Sequence, residues 1–388
     1  MLAKLNTFRR RLPLFLIALY GVELLDELIY GLHSAVVPYF KTDLTLTYTQ
    51  VGLLFTAPAL VGVVCEPLVG LLGDTRHRKL LVMGGIVATV LGLFMIALGQ
   101  MFGLLLLAFC ILGTASGAYV NLAQATLIDL SPDRAAQTMA RWVLLGAIGV
   151  AVAPLVATAA FYFGYGWRGL YWALAGIAGV YVAALARVAF NNHAGASEES
   201  VPVGKLWRAL TNPTLLRWLL LTEMADFMLD KLLEVTGLYF HDVAGVSLAA
   251  ASAAAALFTV AGLAGDALLI PVLERVSGLR VLRVSAVVVL AAYASFLLVP
   301  VVWVKYALIA VVSFSTAGWF STLRAKSYQA LPGQSGVAVA AGSIANIFSL
   351  FVPLAVGRLA DAFGLQWAMW LLALGPVALM IGLPRRDE

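Results

Sequence analysis

The sequence predicts an all-α membrane protein: twelve transmembrane helices arranged as two pseudo-symmetric six-helix bundles. Three observations carry that expectation. Of the 388 residues, 62% are hydrophobic and only 12% are charged, about half the charged share of a soluble domain. Apolar runs long enough to cross a bilayer as helices recur from one end of the chain to the other. The two halves also repeat each other at an offset of 200 positions: Glu23 and Asp26 return as Glu223 and Asp226, Glu66 as Asp266, Asp74 as Glu274, and Pro132 as Pro332. The triplet "PYF" at 38–40 returns as "LYF" at 238–240. Coincidences at one offset, several of them acids inside apolar runs, point to a repeat.

Breaks marked by charge, proline or glycine divide the chain into its elements. The first span, 13–39, follows a basic patch of Lys4, Arg9, Arg10 and Arg11. Its apolar stretch is too long for the core of a signal peptide and no small-residue cleavage site follows, so a retained helix is expected. Spans at 46–73 and 79–99 flank the charged turn around Asp74 to Arg78; 102–130 ends before Pro132, and 136–163 and 167–190 flank Gly164 and Gly166. The polar stretch "NNHAGASEESVPVGK" at 191–205 is the longest interruption, and "LWRALTNPTLLRW" after it reads as a short interfacial segment leading into the next span. Spans follow at 214–240, 247–273 (after Gly245), 279–301 (after Gly278), 303–330 (after Pro300), 334–360 (after Pro332) and 366–384 (after Gly364). The expected organisation is a bundle at 1–190, a cytoplasmic linker at 191–213 and a second bundle at 214–388.

With both termini placed in the cytoplasm, the basic residues of the N-terminus, the 76–79 turn, Arg134, Arg141, the central linker, Arg275 to Arg283 and the C-terminus share one side. Only Lys41, Arg168, Lys305 and Arg358 lie opposite, which satisfies the positive-inside rule. This distribution accounts for the net charge of +5, so the basic balance is no nucleic-acid footprint. Cys65 and Cys110 both sit within apolar runs and suggest neither a disulfide framework nor a metal cluster.

After the second span the sequence reads "GLLGDTRHRKLL". This resembles the signature loop of the major facilitator superfamily, roughly Gly-x-x-x-Asp-Arg-x-Gly-Arg-Arg, through Gly70, Asp74, Arg78 and Lys79; Thr75 and His77 depart from it. A degenerate second copy, "LERVSGLRVL", follows the eighth span. The resemblance covers the whole chain and implies the two-bundle fold of that superfamily and a secondary transporter. It further implies a cytoplasmic gating cluster of Asp74 and Arg78, with Arg141 as a partner. Antiporters of the family often carry a Gly-rich run in span five; "GAIGVAVAPLV" keeps Gly146, Gly149 and Pro154, a pattern that close helix packing explains equally. Proton-coupled members often hold an arginine in span four, where this chain has Phe109.

The acids within the spans are the other functional signal. On a helix turning about 100° per residue, Glu23, Asp26, Glu27, Tyr30, His33 and Ser34 fall within about 120°, and Glu223, Asp226, Asp230 and Glu234 within about 80°. Nine acids lie in apolar spans, these seven with Glu66 and Asp266. Exposed to hydrocarbon they would cost on the order of 20–30 kcal/mol, more than a typical fold's stability. They must pair, carry protons or face a hydrated cavity, and the available bases (Lys231, Arg324, Lys326, His33) are fewer. Crowded carboxylates shielded from water bind protons more tightly. The expectation is therefore proton-coupled export of a cationic or amphipathic small molecule or divalent cation. Its proton- and substrate-binding candidates are Glu23, Asp26, Glu27, His33, Glu66, Glu223, Asp226, Asp230, Asp266 and Arg324. Glu234 is assigned to a structural pair with Lys231, and Asn121, Gln124, Ser321 and Asn346 to interhelical hydrogen bonds. Arg324 supports the alternative, uptake of an organic anion.

Other classes are set aside on motifs. There is no nucleotide-binding Gly-x-x-x-x-Gly-Lys-Ser/Thr loop for a pump, and no His-Glu-x-x-His or Gly-x-Ser-x-Gly for an enzyme. "GLAGD" at 262–266 lacks the first glycine of an aspartyl-protease Gly-x-Gly-Asp. An intramembrane enzyme or a sensor on a transporter-like fold is kept as a further alternative. No cofactor and no nucleic-acid partner are expected; the expected partners are the lipid bilayer, a small-molecule or ion substrate and protons, with the chain a monomer in a cytoplasmic-type cell membrane.

Overall fold

The computed structural model describes residues 2–73, 78–130, 135–186, 203–331, 341–342 and 344–384. The side chains of 2–15, 66–68, 70–73, 125, 128–130, 135–137, 140, 203–206 and 270 lie outside that description. Among the described residues every regular element is helical. The first six helices are α1 (Leu2–Asp43), α2 (Tyr48–Gly73), α3 (Arg78–Leu98), α4 (Phe102–Leu130), α5 (Ala135–Tyr162) and α6 (Trp167–Ala186). Next come the short α7 (Val203–Leu210), then α8 (Pro213–Asp226), α9 (Asp230–Asp242), α10 (Leu248–Leu273) and α11 (Gly278–Leu298). The chain continues as α12 (Val302–Ser315), α13 (Trp319–Gln329), α14 (Ile347–Leu350) and α15 (Val352–Phe363). It closes with α16 (Leu365–Ala368), a 3-10 turn at Met369–Ala373 and α17 (Leu374–Gly382).

Nine helical segments among the described residues are long and apolar enough to cross a membrane. The three expected spans not among them are the first, with Glu23, Asp26 and Glu27; the seventh, divided between α8 and α9; and the eleventh, whose residues 334–340 and 343 lie outside the described ones. Val64, Val143, Val180 and Leu268 are exposed on helix exteriors, a surface suited to lipid rather than water.

The continuous seventh and tenth spans read from the sequence are interrupted. Between α8 and α9 the N–H groups of Phe227, Met228 and Leu229 bond three residues back, at 3.3, 3.0 and 3.1 Å, a tightened turn that ends the α-helix. Between α12 and α13, Gly318 takes a left-handed φ of 72°, which a Cβ would disfavour. Its N–H donates to the Asp266 carboxylate at 3.1 Å.

The chain packs as two compact units. The first comprises residues 1–36 and 57–197. Here α3 lies against α4 and α6, brought close by glycines one heptad apart. A Cβ added at Gly85 would lie 3.0 Å from the Tyr119 Cβ, and one at Gly92 would lie 2.8 Å from the Leu112 Cγ. Small residues at such positions let helices approach where no hydrophobic effect drives them together.

The second unit comprises residues 37–56 and 198–388. Its core centres on fully buried Trp319, Tyr293, Phe240 and Phe296. Lys305 is buried among these rings and donates to the Tyr239 hydroxyl at 2.8 Å and the Phe296 carbonyl at 2.6 Å. The segment 37–56 is held by backbone and charge together. Gly52 sits over the Pro353 carbonyl and Gly357 over the Tyr48 carbonyl. The Asp361 carboxylate accepts from the N–H of Tyr48 at 2.9 Å and of Thr49 at 2.8 Å, capping α2 from α15. Lys41 pairs with Asp242 at 3.1 Å, and the Tyr48 hydroxyl donates to the same carboxylate at 2.8 Å.

Candidate functional site

The acidic face of α1 is built into the first unit between two different surfaces. Asp26, half-buried, accepts a hydrogen bond at each carboxylate oxygen from α4: from the Tyr119 hydroxyl at 2.7 Å and from the Ser116 hydroxyl at 2.8 Å. Glu23 is 8% exposed, and Asp26, one turn on, is a charged neighbour. Against Glu23 and Glu27 lies the glycine face of α5. A Cβ at Gly146 would stand 2.7 Å from the Glu23 Oε1, and one at Gly149 would stand 2.8 Å from the Glu27 Cβ. The Gly-rich run therefore permits α5 to close directly on the acidic face, the packing role the sequence left open.

His33 is also buried, 7% exposed, but in an aromatic setting. Its ring centroid lies 4.3 Å from Phe109 and 5.7 Å from Tyr171, and its Nε2 has no hydrogen-bond partner among the described residues. The Phe109 that stands at the family's arginine position is thus a packing partner of His33.

In the second unit the acids gather at the α8–α9 break. Lys231 spans it, 3.8 Å from Asp226 on α8 and 3.0 Å from Glu234 on α9, so the Lys231–Glu234 pair read from sequence is present and Asp226 joins it. Asp230, the first residue of α9, is exposed. Glu223 is 8% exposed and has Ser349, Arg324 and Lys231 as its polar neighbours. One carboxyl oxygen of Glu223 and one of Glu234, both Oε2, are buried without a hydrogen-bond partner among the described residues. Such an oxygen is costly to keep as a full anion, and a proton or a ligand donor would relieve it.

Arg324 on α13 is half-buried and donates through Nε to the Tyr328 hydroxyl at 3.3 Å. Its Nη1 packs where Gly342 lacks a side chain: an added Cβ would be 2.7 Å away. Asp266 is exposed and caps the Gly318 turn rather than joining the α8–α9 group. The Glu66 side chain and Asp74 lie outside the described residues. Gly70 falls within α2, Arg78 and Lys79 open α3, and Arg141 is exposed on α5; the gating cluster involving Asp74 therefore also lies outside the described residues.

Ser116 and Tyr119 were missed by sequence reasoning, which turned to Asn121 and Gln124 on the same helix; Asn121 is exposed. The available signal was their i, i+3 spacing, which puts two hydroxyls on one face of an apolar helix. Ser349 and Gly342 had no comparable signal, because their relation to Glu223 and Arg324 exists only in three dimensions.

Apolar helices with carboxyl groups buried between them define the class: an integral membrane protein built to handle polar groups inside a bilayer. The chain belongs to the Major Facilitator Superfamily, whose family model matches residues 19–348. That family is one of membrane transporters, not of enzymes. Among curated proteins the chain is similar to the quinolone resistance protein NorA of Staphylococcus aureus, 33% identical over 103 residues. It is also similar to the fosmidomycin resistance protein of Escherichia coli K12, 30% identical over 97 residues. Those matched segments span only about a quarter of this chain and about a quarter of each relative. The nucleoside transporter NupG shares the fold across nearly the whole length, with a TM-score of 0.75 at 14% identity, covering 95% of this chain and 98% of that one.

Proposed function

We propose that the protein exports a cationic or amphipathic small molecule in exchange for protons. The observation that carries this reading is the acidic face of α1, with Glu23 buried and Asp26 and Glu27 half-buried beside it, matched by the Glu223–Asp226–Glu234 group at the α8–α9 break. Carboxyls so placed can exchange a proton for a cationic ligand. Both similar curated proteins are named for drug resistance, which supports the outward direction. A divalent cation is kept as a variant of the same reading. We place the protein in the cell membrane as a monomer with cytoplasmic termini, its repeats at 1–190 and 214–388 joined by the 191–213 linker.

The test is lumenal pH in proteoliposomes under an imposed proton gradient, with organic cations, divalent metals and organic anions added in turn. Proton movement triggered by organic cations, and lost in an Asp26→Asn/Asp226→Asn double variant that still folds, is the expected result. Silence across a panel to which a known antiporter responds removes the coupling.

A second reading has its own observation. Arg324 is half-buried with its Nη1 beside the space left by Gly342, and such a guanidinium suits a carboxylate or phosphate. Uptake of an organic anion predicts that Arg324→Gln abolishes transport while the Asn double variant transports normally.

A further inference from the structure

An ionised carboxylate can only accept hydrogen bonds, and Asp26 uses both of its oxygens to do so, from Ser116 and Tyr119 on the same neighbouring helix. A proton arriving on Asp26 turns one oxygen into a donor. That oxygen keeps a lone pair with which to accept, but it no longer carries the charge that strengthens the bond it receives. Thr89, on α3, turns its hydroxyl back to the Gly85 carbonyl of its own helix at 3.1 Å.

We propose that Ser116 and Tyr119 are positioning residues that read the proton on Asp26. With Asp26 charged, both hydroxyls tie α1 to α4. With Asp26 protonated, both bonds lose their ionic acceptor and the tie between α1 and α4 weakens. The proton comes from the aqueous phase and stays on the carboxyl; no other bond is made or broken. The charged neighbours are Glu23 and Glu27 on the same helix. Across from them, α4 places the Ser116 and Tyr119 hydroxyls at Asp26, and α5 places Gly146 and Gly149 at Glu23 and Glu27. The inference rests on proton coupling through Asp26, and the experiment separates the two.

Infrared difference spectra of the full-length protein in lipid nanodiscs, recorded through an acid titration, report the carbonyl stretch of each carboxyl as it gains a proton. The band missing in Asp26→Asn belongs to Asp26. Tyr119→Phe and Ser116→Ala each remove a donor to the charged form, so each should move that band's midpoint up by about one pH unit, a tenfold gain in proton affinity. Thr89→Val, which removes a hydroxyl bonded within its own helix, should leave the midpoint in place, and that separates loss of the two donors from a general loosening of the bundle. Ser116→Ala deletes a single oxygen, which keeps the test available if Tyr119→Phe fails to fold. Unchanged midpoints in the hydroxyl variants overturn this inference and leave proton coupling standing. No titrating band lost in Asp26→Asn overturns both.

Discussion

Gly149 stands where the acidic face of α1 meets α5, and what it lacks matters more than what it has. An added Cβ would lie 2.8 Å from the Glu27 Cβ, 2.9 Å from the Leu24 carbonyl oxygen and 3.0 Å from the Leu28 nitrogen. Two of those atoms are backbone and cannot move aside, so Gly149→Ala should cost about 1–3 kcal/mol of stability, as overpacking does. At Gly146 the closest atom is the Glu23 Oε1, the far end of a flexible side chain. Thermal melts in detergent should therefore rank Gly146→Ala well above Gly149→Ala. Lys231 offers the complementary case, a charge whose removal strands another. Glu234 is only 3% exposed and Lys231 is its paired cation. Lys231→Met should destabilise by about 3 kcal/mol, and adding Glu234→Gln should recover most of that loss. A double-mutant cycle showing simple additivity would contradict the pairing.

Two devices act at the scale of the element. The start of α2 is capped by a carboxylate more than 300 residues away. Asp361 lies just past the expected eleventh span, and partial burial works to raise its carboxyl. Hydrogen bonds from Thr49, Tyr48 and Thr47 outweigh that and hold it below the usual carboxylate range. Because the folded value is depressed, the cap's contribution is complete above the unfolded value of about 3.9 and is lost as pH falls through the lower folded value. Near neutral pH, Asp361→Asn should speed amide hydrogen exchange at Tyr48 and Thr49, and the difference from wild type should shrink below about pH 4. Equal exchange in both proteins at pH 7 would mean that water caps the helix as well. At the α12–α13 turn, Gly318 has its left-handed φ and an added Cβ would overlap the Leu269 side chain. Gly318→Ala should cost about 1–2 kcal/mol from the backbone alone, measured by the same melts. Helix breaks of both kinds were invisible to apolar periodicity, which is blind to a single residue of unusual φ inside a hydrophobic run.

For the molecule as a whole, the reading of proton exchange predicts that an uncoupler collapsing the gradient stops export by the wild type. Transport that continues unabated points to a uniporter or another coupling ion. The residues on which that reading rests were partly legible in advance. Glu23, Asp26, Glu27, Glu223 and Asp226 stood out because a carboxyl in an apolar run is expensive wherever the chain folds. What each one meets was not legible. Asp26 finds Ser116 and Tyr119 about 90 positions on, Asp266 finds the Gly318 turn instead of the acidic group, and His33 finds aromatic rings instead of acids.

The sequence by itself determined that this is a helical membrane protein of a transporter family, with acids embedded in its apolar helices. Bilayer thickness and the cost of desolvating charge act on composition along the chain, so they can be read in one dimension. Only the tertiary structure decided which hydroxyls hold Asp26, where α8 gives way to α9 under Lys231, and that α15 caps α2. Those outcomes depend on which distant segments come within hydrogen-bond reach, and a hydrogen bond is made or lost over less than an ångström.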